Sequence, residues 1–203
     1  YYWFNRFTLN GIDLVISRTG WSSELGYEIF LLNSSQGNDL YNHLMKIGEP
    51  MGLRPGHTST IRRIEGGMLS YHADMTINTN PLELGLDKFI DLDKGFDFVG
   101  KDTLISILDK GIKRKQVGIM IDDDPLPGPN TRFWDIYVND SLVGKVTSAV
   151  YSPRLDKNIA LGMIQTDYSN IGQKLSIDNG IKKLHAVITE KPFYDPNKSL
   201  TKA

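Results

Sequence analysis

The chain has 203 residues, 40% of them hydrophobic and 23% charged, with a formal net charge of -1. That balance suits a soluble globular chain of one large domain or two small ones, and it supplies no electrostatic drive toward nucleic acid or an anionic membrane. The lack of cysteine excludes disulfides, thiolate chemistry and Cys-ligated metals.

No apolar run approaches the roughly 20 residues of a spanning helix, and no signal-peptide pattern is visible. A cytoplasmic location, with no membrane or nucleic-acid partner, is the expectation. The chain opens on Tyr1 rather than Met, and Tyr1 to Phe7 is already aromatic and strand-like. Native termini are usually polar and loose, so the opening reads as that of a fragment lacking an N-terminal part.

Residues 2–9 and 12–18 flank Asn10-Gly11, the preferred pair for a two-residue type I′ turn, and predict a β-hairpin. Gly20 to Gly26 reads as a loop and Tyr27 to Leu32 as a third strand. Ser34 and Ser35 offer caps for a helix over 38–48, with Leu40, Leu44 and Ile47 at helical spacing. Thr58 or Ser59 can cap a second helix that stops at Gly66-Gly67. Pro81 to Ile90 reads as a loop leading into a short strand. Gly100 to Lys110 reads as a helix closed by Gly111.

After Gly111 the texture changes to short strands at regular spacing: 116–121, 135–138, 141–148, 158–164, 174–177 and 184–188. Asn139-Asp140 marks a hairpin turn. The stretch 122–129 carries three prolines that cannot supply ladder N–H groups, so it is a loop. Such spacing predicts a small barrel or sandwich. The expected fold is α+β, with a boundary near 95–112.

Several site classes are missing. There is no GxxxxGK[ST] loop and no GxGxxG fingerprint. His43, His57, His72 and His185 show no short metal-site spacing, and Asp122 to Asp124 reads as a solvated loop before it reads as a cation site, so no metal is expected. No Ser-His-Asp set can be assembled.

Glu28 carries more information. Alternation puts it on one strand face with Phe30 and Leu32, while Tyr27, Ile29 and Leu31 share the other. Both faces are otherwise apolar, which predicts a strand buried on both sides. A carboxylate there needs strong donors: a guanidinium, or the paired N–H groups of an aminopyrimidine ring. The residues alone favour a salt bridge with Arg18, Arg62 or Arg63 over a ligand anchor. Trp3 and Trp21 offer flat walls for a planar heterocycle, or simply core packing. Arg62 and Arg63, just before paired glycines, read as surface ion-pair residues.

Taken together, these stretches resemble the glycine cleavage T-protein (aminomethyltransferase) superfamily. Arg18-Thr19-Gly20-Trp21 through Glu28 resembles its RTGYTGEDGYE segment, and Arg63-Ile64-Glu65-Gly66-Gly67-Met68 its RLEAGM helix. Asp97 to Asp102 resembles DFIGKEAL. Gly144 to Ser148, then Ser152-Pro153 and Asn158 to Gly162, resemble the signature of its C-terminal barrel. The matches run in the family's order over nearly the whole chain.

The resemblance implies the C-terminal part of a folate-binding domain over 1–98, a helical linker over 99–111 and a small antiparallel β-barrel domain over 112–203. Tetrahydrofolate would be the co-substrate. Glu28 would accept from the pterin's aminopyrimidine edge, and Trp21, Phe30 and, on aromatic character alone, Trp3 would wall the pocket. Catalytic residues are expected in the missing N-terminal part, so none is assigned, and weak or no folate binding by this chain alone is expected.

Ser59 stands where aminomethyltransferases carry the arginine of an ARD motif, and Trp21 where they usually carry tyrosine. With Arg62 to Tyr71, these departures are more similar to the dimethylsulfoniopropionate demethylases. The leading expectation is therefore transfer of a sulfonium methyl to folate N5, an in-line displacement that needs alignment and water exclusion more than acid–base help. The alternatives are an aminomethyltransferase, with a lipoyl carrier protein as partner, and a non-catalytic folate-binding protein.

Overall fold

The computed structural model describes residues 2–202 and divides into two compact units, Tyr1–Arg62 with Asn197–Ala203, and Arg63–Pro196. In the first, β1 (Phe4–Leu9), β2 (Ile12–Ser17) and β3 (Glu28–Leu31) form an antiparallel sheet in the order β1-β2-β3. Asn10 and Gly11 join β1 to β2 at φ 51° and 77°, the double positive φ of a type I′ turn. The register pairs Phe4 with Ser17, Arg6 with Val15 and Leu9 with Ile12, then Ser17 with Glu28 and Val15 with Phe30.

Helix α1 (Gly37–Gly48) covers one sheet face. Its Leu40 is buried with Ile12 and Leu14, and Leu9, Ile16, Leu31 and Leu44 pack around them. The entry differs from expectation: Asn33 caps a 3-10 turn, Ser34–Gln36, by accepting from the Ser35 N–H at 3.2 Å, and Gln36 at the N-cap of α1 itself makes no side-chain cap hydrogen bond. Ile47, expected on the apolar face, is exposed.

The second unit holds a closed antiparallel barrel in the order β4-β7-β6-β5-β8-β9. Its strands are β4 (Arg114–Asp122), β5 (Trp134–Val138), β6 (Ser141–Ser152), β7 (Lys157–Gln165), β8 (Lys174–Asp178) and β9 (Lys183–Thr189). Ile119, Ile136, Val146, Ile164 and Ile177 are fully buried within it. This bears out the α+β reading with a small antiparallel barrel. Two signature glycines explain themselves by crowding: a Cβ at Gly144 would lie 2.3 Å from the Met163 carbonyl oxygen, and one at Gly162 2.8 Å from Ile119 Cδ1. Asn158 pins the proline-rich loop by accepting from the Leu126 N–H at 2.9 Å and donating to the Asp123 and Asp124 carbonyls at 3.0 and 2.9 Å.

Two helices precede the barrel: α2 (Thr60–Glu65) and α3 (Lys101–Lys110). The short strand expected after Pro81 is not formed. A 3-10 turn, Asp87–Phe89, stands there, with Leu82 and Leu84 buried before it.

Candidate functional site

The site residues proposed from sequence all belong to the first unit. Sheet alternation gives Glu28 and Phe30 one face, and the register adds Phe4, Arg6, Val15 and Ser17 to it. That is the face opposite α1. Phe4 and Phe30 are 74% and 53% exposed on it. The expectation that β3 is buried on both sides is corrected: Glu28 and Phe30 are exposed because α1 packs on the opposite face, and Ile29, on the α1 side, is itself 41% exposed.

The salt-bridge reading of Glu28 is corrected as well. Its partner is the Thr19 hydroxyl, which donates to Oε2, and the Ser17 and Thr19 hydroxyls lie 2.6 Å apart. Among the described residues Glu28 forms no ion pair. The two threonine and serine hydroxyls thus orient a carboxylate whose outer edge is free to take paired N–H donors. Thr19 was missed in the sequence; the tight Ser17-x-Thr19 spacing before a glycine loop was the signal available.

Trp21 sits in the loop before β3, 39% exposed. The same loop is held by Glu24, whose carboxylate lies 3.5 Å from Arg62. Trp3 is placed differently from Phe30. Tyr2, at φ 62°, and Trp3 together oppose Arg18 in a bulge, with Tyr2 N–H on the Arg18 carbonyl at 3.0 Å and Arg18 N–H on the Trp3 carbonyl at 2.7 Å. Adjacent residues alternate, so Trp3 lies across the pleat from Phe4 and the structure does not bring it together with Glu28.

The second unit holds a polar cluster that sequence reading assigned to the surface. Arg63 is buried, and Nη1 donates to Asp74 Oδ2 at 2.8 Å while Nη2 donates to Ser148 Oγ at 2.8 Å. Asp74 also accepts from Thr147 at 2.6 Å, from Ser148 at 2.7 Å and from the Ser70 N–H at 2.9 Å. Two residues along α2, Glu65 accepts from Ser152 at 2.6 Å and lies 3.7 Å from Arg154. Ser148 and Ser152 share a face of β6, so hydroxyls four apart on a strand were the legible sign. Fully paired and dry, this cluster fastens α2 to the barrel strand and leaves no group free for proton transfer.

Lys191 follows β9. Burial holds its ammonium down to about 8, opposed by the Asp74 carboxylate and assisted by Lys115. A cleft of about 340 Å³ in the same unit is lined by Met75, Phe133, Lys145 and Met163 among others. Among the described residues no group of three or more His, Asp or Glu side chains is placed to hold a metal ion. Asp123 is paired with Lys182 at 2.8 Å, and that hydrogen bond lowers its carboxyl. No helix among the described residues is long and apolar enough to cross a membrane.

An open-faced three-stranded sheet backed by a helix, followed by a closed six-stranded antiparallel barrel, defines a T-protein-like α+β chain. Two family models match in order: the GCVT N-terminal domain over residues 1–94 and the glycine cleavage T-protein C-terminal barrel domain over residues 114–195. The chain belongs to the glycine cleavage T-protein (aminomethyltransferase) family.

The chain is 33% identical over 200 residues to the aminomethyltransferase of Thermoanaerobacter pseudethanolicus, covering 97% of this chain and 53% of that one. It is 35% identical over 184 residues to the aminomethyltransferase of Listeria welshimeri, covering 91% and 49%. The crystal structure of glycine cleavage system aminomethyltransferase T from Bartonella henselae superposes with a TM-score of 0.75 at 22% identity, over 90% of this chain and 50% of that one, a likeness of fold. The chain thus spans about half the length of the curated relatives it matches.

Proposed function

We propose that this chain supplies a folate-binding wall and the barrel domain of a tetrahydrofolate-dependent one-carbon transferase, with an aminomethyl group on a lipoyl carrier protein as the donor. The observation that supports the donor is the name shared by its relatives, aminomethyltransferase, at 33% to 35% identity over most of the chain. In this reading Glu28 takes the aminopyrimidine edge of the pterin, with Phe30 and Trp21 as walls and Trp3 at most a peripheral contact. The folate-binding part runs over 1–98, the linker over 99–111 and the barrel domain over 112–203. The enzyme works in the cytoplasm, and its catalytic residues lie outside this chain.

Transfer of a methyl group from dimethylsulfoniopropionate is the second reading. Ser59 in place of the family arginine and Trp21 in place of tyrosine favour it. The names of the relatives reverse the order that these two positions suggest, because they rest on alignment over nearly the whole chain rather than on two residues.

The deciding experiment offers tetrahydrofolate with either donor to the protein as its source makes it. Formation of 5,10-methylenetetrahydrofolate from the aminomethyl-loaded carrier is the expected result. Formation of 5-methyltetrahydrofolate from the sulfonium alone would replace the first reading by the second. Folate binding without turnover of either donor would leave a non-catalytic folate-binding protein.

A further inference from the structure

The open face of the sheet carries one cation among its strand residues. Phe4, Arg6 and Thr8 of β1, Asp13, Val15 and Ser17 of β2, and Glu28 and Phe30 of β3 share that face, and Arg6 stands in one cross-strand row with Val15 and Phe30. Asp13 accepts from Thr8 at 2.7 Å, so its carboxylate is already engaged within the sheet. Arg6 is exposed, and its guanidinium has no hydrogen-bond or ion-pair partner among the described residues.

Spacing then matters. Neighbouring strands lie about 4.8 Å apart and two residues rise about 7 Å, which puts the Cα atoms of Arg6 and Glu28 roughly 12 Å from each other. A ligand gripped at one end by the Glu28 carboxylate and lying along Phe30 runs out toward the Arg6 side of the sheet. The groups it meets in order are a hydrogen-bond acceptor, an aromatic wall and a bidentate cation.

We infer that Arg6 is a binding residue for the tail of the folate, pairing with a carboxylate of its benzoylglutamate arm while Glu28 holds the pterin. The inference rests on the folate reading of Glu28. The chemistry fits: a tetrahydrofolate is neutral at the pterin and anionic at the far end, so its two ends call for an acceptor and a cation at a distance. A planar guanidinium matches a carboxylate with two parallel hydrogen bonds. Placing that pair at an exposed sheet position makes it salt-sensitive, whereas the pterin contact with Glu28, between neutral and charged partners, is much less so.

Equilibrium binding, read by tryptophan fluorescence in the protein as its source makes it, separates the two ends. The ligands are tetrahydrofolate and 6-methyltetrahydropterin, which lacks the benzoylglutamate arm. Arg6→Gln is expected to weaken tetrahydrofolate about tenfold or more and to leave 6-methyltetrahydropterin unchanged, with Arg6→Lys recovering part of the loss. Raising the salt should weaken tetrahydrofolate in the parent protein and have little effect in Arg6→Gln. Unchanged tetrahydrofolate affinity in Arg6→Gln, or equal losses for both ligands, overturns the inference. Glu28→Gln is expected to weaken both ligands; if it weakens neither, the folate reading itself fails, whatever Arg6 does.

Discussion

Arg63 and Asp74 meet at 2.8 Å with side chains that keep 8% and 0% of their accessible surface. Ser148 touches both, which ties a helix, a loop and a barrel strand through one buried ion pair.

Removing one partner of that pair strands the other in a dry site. Arg63→Met is expected to cost about 3 kcal/mol of unfolding free energy in urea denaturation. The double variant Arg63→Met with Asp74→Leu should cost less than the single one, because no uncompensated charge remains. A loss of a few tenths of a kcal/mol in the single variant would show that the pair is not what fastens α2.

Glu28 should behave in the opposite way. It is exposed, so Glu28→Gln is expected to leave the melting temperature within about a degree while lowering tetrahydrofolate affinity at least tenfold. Thr19→Val, which removes the hydroxyl that orients the carboxylate, should give a smaller loss that Thr19→Ser restores. Equal affinities throughout would return both residues to a purely structural role.

Lys191 gives the chain a defined alkaline response. Its pKa falls to about 8 in the folded chain from an ordinary value of 10.5. Between those values the unfolded chain holds a proton that the folded one has released, so this residue's contribution to stability rises with pH across the window. It is complete above 10.5 and lost as the pH falls through about 8. Lys191→Met should therefore stabilise the protein at pH 7 and bring no gain near pH 10.5, as urea denaturation at the two pH values would register. A constant difference between variant and parent would remove the titration from the account.

Gly144→Ala tests the closeness of β6 and β7. The added Cβ meets the Met163 carbonyl oxygen at 2.3 Å and Ile164 Cα at 2.8 Å, both backbone atoms that can yield only by moving the strands apart. A loss of about 3 kcal/mol is expected. Gly95→Ala, where a Cβ meets nothing within 4 Å, is the control and should be neutral. Unperturbed stability in Gly144→Ala would mean that the barrel wall gives more easily than its register implies.

Much of this architecture was legible before any coordinates. Alternating apolar residues between turn pairs such as Asn139-Asp140 located six barrel strands, and Asn10-Gly11 located the first hairpin, because turn chemistry and a period of two act locally. Arg63 was misplaced because its partners lie 11 and 85 positions away, distances over which spacing carries no signal. Glu28 was read as buried for a related reason: apolar residues on both sides of a strand say that it can be covered twice, and only the position of α1 says which side is covered. The pairing of Glu28 with Phe30 followed from alternation, whereas Phe4 and Arg6 joined them only through the observed register. Trp3, chosen for its ring alone, fell on the other side of the pleat.

The two sheets of this chain end in different ways. The barrel returns β9 to β4, so each of its strands has two neighbours and none is an edge. Among the described residues the sheet of the first unit stops at β1 on one side and β3 on the other, and Phe4, Phe7, Ile29 and Phe30 on those border strands are exposed. Under crowded or partly denaturing conditions, self-association should begin at the sheet with open borders, and the barrel should be the last part of the molecule to be drawn into an aggregate.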